Sequence, residues 1–166
     1  MTSAVLHAAP TQRFQQLDPA TQARLREVAP PAMPVQTLRR TGHRPLTFNG
    51  VPVATVCGVT PALPFWYELN LFRTVVDSFV CDVRLFQKSD APDRFTVVEH
   101  DDLADACAWF EAYQPARDIR PNIALSTIGS SAELAIAIAS LRLEIDLATE
   151  HYSALVGQLL TVVEQA

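Results

Sequence analysis

The chain has 166 residues, a length that fits one domain with a single sizeable core and leaves two independent domains cramped. Apolar residues make up 49% and charged residues 19%, which excludes a disordered chain, and a net charge of -5 disfavours general attraction to nucleic acid or anionic lipid. No apolar run approaches the ~20 residues of a membrane span, and the opening MTSAVLHAAPTQRFQQ lacks the basic start and apolar stretch of a secretory signal, so a soluble, cytoplasmic protein is expected.

Residues 1–17 carry no sustained pattern and are expected to be loosely ordered. Asp18 is placed as an N-cap, with Pro19 at the first helical position, where a missing N–H costs nothing; a short N-terminal helix should run to about Val28. The APPAMP segment, Ala29 to Pro34, stops it, because consecutive prolines cannot continue the hydrogen-bond ladder. Residues 18–34 thus form a helix and a proline-rich connector.

From 35 to 99 the signals are those of strands. Asn49 and Gly50 lie between two β-prone runs and tolerate the positive φ of a tight type I′ turn, which predicts a hairpin there. Pro52 cannot donate to a ladder, so it should face an open edge or begin the paired region. FWYELNLF and FVCDVRLF read as a second antiparallel pair. Alternation puts Tyr67, Leu69 and Leu71 on one face with Phe79, Cys81, Val83 and Leu85 as core. Trp66, Glu68, Asn70 and Phe72 share the other, mixed face with Val80, Asp82, Arg84 and Phe86. RFTVVE, Arg94 to Glu99, adds a further strand, giving an antiparallel meander of four to five strands.

Residues 100–113 change to helical period: Leu103, Ala106, Cys107, Phe110 and Tyr113 fall on one side, and Asp101, Asp102 and Asp105 crowd the first turn, where negative charge complements the helix dipole. Residues 114–129 form an irregular connection punctuated by Pro115 and Pro121, with Arg117, Asp118 and Arg120 either a recognition loop or a solvated one. Ser130 and Glu133 have the spacing of a capping box that opens a C-terminal helical segment, 130–166. Leu134, Ile138, Leu141, Ile145, Ala148, Tyr152, Leu155, Leu159 and Val162 then recur at steps of four and three, a pattern no strand sustains. Within it, LRLEIDLA alternates like a strand only because Leu143 and Leu147 form a second apolar line with Ile136. One continuous helix would extend about 50 Å, beyond the ~35–40 Å width of a compact domain this size. The first half, apolar on two faces, should lie between its own sheet and something else; the second half presents a single seam. A matching helix from a second copy would cover that seam and make a homodimer, and an intramolecular helical hairpin is the alternative.

The chemical candidates are sparse. His7, His43, His100 and His151 are scattered, Cys57, Cys81 and Cys107 form no C-x-x-C pair, and neither a nucleophile elbow nor a phosphate-binding glycine motif occurs, so no metal, cofactor or catalytic constellation is expected. Arg39, Arg40, His43 and Arg44 form the densest basic cluster, suited to an anion, an acidic partner or nucleic acid, but also to a charged edge strand. Trp66, Glu68, Asp82, Arg84 and Trp109 could line a ligand pocket on the mixed sheet face, against the plainer reading of cross-strand ion pairs and core aromatics. The sequence therefore points to an α+β protein whose antiparallel sheet packs against helices, including an N-terminal one and a long C-terminal one. It is expected to bind another protein, to be non-catalytic and to self-associate through the seam Leu134, Ile138, Leu141, Ile145, Tyr152, Leu155, Leu159 and Val162. A small-ligand-binding protein or enzyme is the alternative, and nucleic-acid binding through Arg39 to Arg44 the weaker one.

Overall fold

A computed structural model describes residues 33–119 and 129–165. The predicted N-terminal helix and its connector to Ala32, and Arg120 in the long connection, lie outside the described residues. Five strands follow in chain order, β1 (Val35–Arg40), β2 (His43–Gly58), β3 (Phe65–Thr74), β4 (Phe79–Gln87) and β5 (Arg94–His100). They form one antiparallel meander in the order β1-β2-β3-β4-β5, at the upper end of the four to five strands expected. Helix α1 (Leu103–Ala112), a 3₁₀ turn (Pro115–Arg117) and helix α2 (Ser131–Glu164) complete the described fold.

The predicted hairpin at Asn49-Gly50 is not there. The chain reverses instead at Thr41-Gly42, where Gly42 takes the positive φ of 77° that a two-residue turn needs, and Arg40 pairs with His43. Asn49 and Gly50 lie inside β2, at the point where that strand changes partner: Val35 to Arg40 pair with its first half, and β3 pairs from Gly50 onward. The Gly50 N–H donates to Pro34 O at 3.0 Å while Asn49 O accepts from Val75 N–H at 3.0 Å, so the two residues hold both neighbours together. A Cβ on Gly50 would come within 2.6 Å of the Arg73 carbonyl oxygen, so the glycine serves close approach, not a turn. Two residues on, past the end of β1, Pro52 has no N–H to leave unpaired on that side, and an irregularity between Pro52 and Ala54 adds to the bend.

This bend curls the sheet. At its far side the Thr41 N–H donates to Phe95 O at 2.9 Å and the Phe95 N–H donates to Thr41 Oγ1 at 2.8 Å, bringing the first turn against β5. The sheet therefore has two interiors. On the outer face Tyr67, Leu69, Leu71, Cys81, Val83 and Leu85 pack with Ala106 and Phe110 of α1 and with Ala148, Tyr152, Leu155, Val156 and Leu159 of α2. Inside the curl, Leu38, Phe72 and Val80 form a second cluster with Leu46, Phe48 and Val97, Phe48 meeting Phe72 edge-on at 5.7 Å. The alternation expected of β3 and β4 holds at every step of a register that sets Glu68 opposite Arg84 and Asn70 opposite Asp82.

Asp102 caps α1, accepting from the Asp105 N–H at 2.8 Å. The capping box of Ser130 and Glu133 opens α2 as expected, and α2 then runs unbroken for 34 residues, about 51 Å at 1.5 Å per residue, rather than as a hairpin. Its second half packs on the sheet, where the His151 ring lies 3.0 Å from Gly58 O. Its first turns stand clear of the core, from Ser131 to Ser140 exposed except at Ala137.

Two glycines should respond in opposite senses. Gly50→Ala forces the Arg73 backbone aside and should cost about 2 kcal/mol, whereas Gly157→Ala, whose new methyl meets nothing within 4 Å, should gain about 0.5–1 kcal/mol, both read from urea midpoints. A Gly50→Ala protein as stable as wild type would mean that the bend does not depend on the missing side chain.

Candidate functional site

Three groups of polar side chains follow from the curl. The first lies on its inner face, where the registers of β2, β3 and β4 align Thr55, Asn70 and Asp82 in one row and Glu68 beside Arg84 in the next. Arg84 donates through Nη1 to Glu68 Oε1 at 2.8 Å and through Nε to Asp82 Oδ2 at 2.7 Å. Asn70 Nδ2 donates to Glu68 Oε1 at 3.0 Å and to Asp82 Oδ2 at 3.4 Å, and Thr55 Oγ1 donates to Asn70 Oδ1 at 2.9 Å. Burial pushes the Asp82 carboxyl up to about 6, with nearby Glu68 adding to the rise, against the lowering by Arg84 and the Asn70 hydrogen bond. Its Oδ1 is buried without a hydrogen-bond partner among the described residues. Burial, and then the Glu68 charge, also raise the Cys57 thiol above its ordinary range.

The mixed-face residues expected to line a pocket are only partly brought together. Glu68, Asp82 and Arg84 meet, but as ion pairs with one another; Trp66 stacks on Phe86 at 5.2 Å. Trp109 lies on α1, on the other side of the sheet, against Phe110 at 5.4 Å and Tyr113 at 6.0 Å.

The second group surrounds Asp118, at the end of the 3₁₀ turn. Its Oδ2 accepts from the Tyr67 hydroxyl at 3.0 Å and the Tyr113 hydroxyl at 2.7 Å, and its Oδ1 accepts from Arg94 Nη1 at 3.0 Å. Tyr152, stacked on Tyr113 at 5.0 Å, donates to Phe110 O at 3.1 Å. Burial first, then the Asp118 charge, push Tyr67 and Tyr113 far above the ordinary phenol range; burial and Tyr113 do the same to Tyr152. All three stay protonated and keep donating. The sequence signal for this group is Tyr67 itself, since a tyrosine on the core face of a strand brings a hydroxyl that must find an acceptor.

The third group is a cavity of about 650 Å³ between the β1–β2 turn, the edge of β5 and the end of α1. Arg40, His43, Arg94, Trp109, Tyr113 and Arg117 line it, with Asp118 in its wall. It takes two members of the predicted arginine cluster and the one predicted aromatic that left the mixed face. Arg39 instead lies over the Phe95 ring at 4.6 Å, and the Arg44 carbonyl accepts from Arg40 Nε at 2.8 Å. Among the described residues no set of three or more His, Cys, Asp or Glu is placed to hold a metal ion, and no helix is long and apolar enough to cross a membrane.

The helical seam divides at Ala148. Tyr152, Leu155 and Leu159 are buried against the chain's own sheet, and Leu141 and Ile145 are partly buried at its margin. Leu134, Ile138 and Val162 remain exposed, as do Ile136 and Leu143. The half expected to lie on the sheet is therefore the projecting one, and most of the seam offered to a partner is spent internally. No family model, curated protein or solved structure matches the chain.

Asp82 makes a pH prediction with a definite sign. Its carboxyl titrates near 3.8 when unfolded and near 6 in the fold. Below both values it is neutral in either state; between them the fold holds a proton that the unfolded chain has released, so stability falls as pH rises and the loss is complete above about 6. For this fully buried group the displacement corresponds to about 3 kcal/mol. Asp82→Asn removes the titration, so its unfolding free energy relative to wild type should climb by about 2–3 kcal/mol between about pH 4 and pH 7. A difference that stays flat across that range would refute the assignment.

Proposed function

We propose that this protein is a non-catalytic interaction protein that pairs with a second copy of itself through the projecting half of α2. The carrying observation is an apolar surface with no cover from the core: Ile136 is 67% exposed, Leu143 60%, Ile138 39% and Leu134 37%. The extension is continuous with the anchored half of the helix, and apolar side chains left open on two of its faces favour a partner.

The pattern favours a second copy running antiparallel. About the midpoint between Ala139 and Ser140, Leu134 is equidistant with Ile145, Ile138 with Leu141 and Ile136 with Leu143. A two-fold axis there maps every large apolar residue from Leu134 to Ile145 onto another, as an isologous interface requires. The same register sets Arg142 opposite Ala137 and Glu144 opposite Ala135, where small side chains permit close approach, and it brings one like-charged pair, Glu133 and Asp146, together near each end of the overlap. Overlap of about 17 residues spans about 25 Å and leaves the two sheets at opposite ends of the pair. Contact of that extent belongs with the smaller specific interfaces, below about 1,200 Å², where weak, reversible association is usual. The nucleic-acid reading gains no support, because Arg39 turns to the Phe95 ring and Arg40 to the cavity.

Sedimentation equilibrium across micromolar concentrations should show a reversible monomer–dimer transition. Ile138→Glu places an unpaired carboxylate twice in the contact and should weaken it by about two orders of magnitude, with little change in the melting temperature of the dilute, monomeric protein. A wild-type protein that remains monomeric throughout, or a variant that dimerises as well as wild type, would end this reading.

A further inference from the structure

The cavity beside the β1–β2 turn has no role in self-association, and its chemistry points elsewhere. It draws Arg40 from the end of β1, Arg94 from the start of β5 and Arg117 from the 3₁₀ turn, three guanidinium groups from three elements around about 650 Å³. Pockets of roughly 300–1,000 Å³ hold small organic ligands. In a chain of net charge -5, such convergence of positive charge runs against the average.

The balance of charge inside the cavity decides its preference. Asp118 is the one carboxylate among the lining residues, and both its oxygens are engaged by Tyr67, Tyr113 and Arg94. Among the described residues neither Arg40 nor Arg117 makes a salt bridge. The lining therefore carries two guanidinium charges beyond those neutralised at Asp118. The C-terminal end of α1 opposes them with a partial negative charge of about half an elementary unit, which is smaller. Guanidinium groups meet carboxylates in a planar fork with two parallel hydrogen bonds.

The rest of the wall mixes aromatic and aliphatic side chains with polar ones, Thr41, Thr96 and Gln114 among them. Trp109 is half-buried with Tyr113 beside it on the helix side, and Phe95 and Val97 border the cavity from the inner side of the curl, across the edge of β5. The Phe95 N–H and C=O point outward to Thr41, so by strand alternation Val97 turns its own N–H and C=O toward the same edge. A charged head, a planar body and an edge that can hydrogen-bond are thus accommodated side by side.

We propose that this cavity binds a small aromatic carboxylate, its acid group held by Arg40 and Arg117 and its ring laid against Trp109. Arg94 acts as a positioning residue: tied to Asp118, it fixes the 3₁₀ turn that carries Arg117.

Titration of the full-length, ¹⁵N-labelled protein with 1-naphthoate tests this. The indole N–H of Trp109 and the guanidinium Nε–H signals of Arg40 and Arg117 should move together and saturate at millimolar or lower ligand. The neutral analogue 1-naphthalenemethanol should bind at least about tenfold more weakly, as should 1-naphthoate to Arg40→Ala or Arg117→Ala, each removing one charge-assisted contact. Unchanged spectra of the remaining amides would show that these variants keep the fold. The proposal is overturned if no signal saturates, if the neutral analogue binds equally well, if inorganic phosphate matches 1-naphthoate, or if the shifts map to the exposed half of α2. Because Ile138→Glu leaves the cavity untouched, it should bind 1-naphthoate like wild type, which separates this site from the self-association surface.

Discussion

The fold depends on one strand belonging to two neighbours. β2 is 16 residues long, pairs with β1 over its first part and with β3 over its second, and bends where the membership changes. A straight strand of that length would hold a flat sheet with one face on the helices and the other in water. The absence of a side chain at Gly50 lets the Arg73 carbonyl close in, and the irregularity after Pro52 increases the local twist. The first arm then folds over the inner face until Thr41 meets Phe95. That contact makes the inner apolar cluster possible and brings Arg40 and His43 to β5, far from them in sequence. The same bend thus supplies stability and one wall of the cavity.

Curling a sheet takes polar groups out of water, and the chain meets the consequence differently in its two interiors. Asp118, between sheet and helices, is held by two phenols and a guanidinium, so each carboxylate oxygen has a charge-assisted donor. Asp82, inside the curl, gives one oxygen to Arg84 and Asn70 and leaves the other without a partner among the described residues. Burial outweighs the arginine there, which is why its carboxyl rises instead of falling. The Asp118 arrangement is the better solvated by protein, and it also has a positional effect: it binds the 3₁₀ turn to β3, α1 and β5 at once, fixing the backbone that carries Arg117.

What the sequence made legible was what neighbouring residues decide. The faces of β3 and β4 followed from period two because both strands are central and one face is uniformly apolar, and the box of Ser130 and Glu133 marked the start of α2 because its two hydrogen bonds lie within four residues. Asn49-Gly50 misled because glycine tolerates both a tight turn and a close backbone approach, and only the distant Arg73 tells which is needed. The cavity was not legible as a unit. Proximity in sequence groups Arg40 and His43 with Arg39 and Arg44, and residue type groups Trp109 with Trp66, whereas the fold sorts them by which side of the curl they reach.

The heptad line of α2 fails to announce its own division for a physical reason. A stripe of leucine, isoleucine and tyrosine at steps of four and three suits the chain's sheet and a second helix equally, because both ask only for an apolar surface of similar width. Nothing in the period changes at Ala148, where burial begins. The continuity has an energetic consequence. The buried half anchors the helix through Tyr152, Leu155, Val156 and Leu159, so the unfavourable nucleation of the first turn is already met and the projecting half need only propagate toward its cap at Ser130. Covering that half by a second copy would stabilise the same helix that closes the core, linking association to folding by mass action. One uninterrupted apolar line can in this way serve as packing at one end and as a meeting surface at the other.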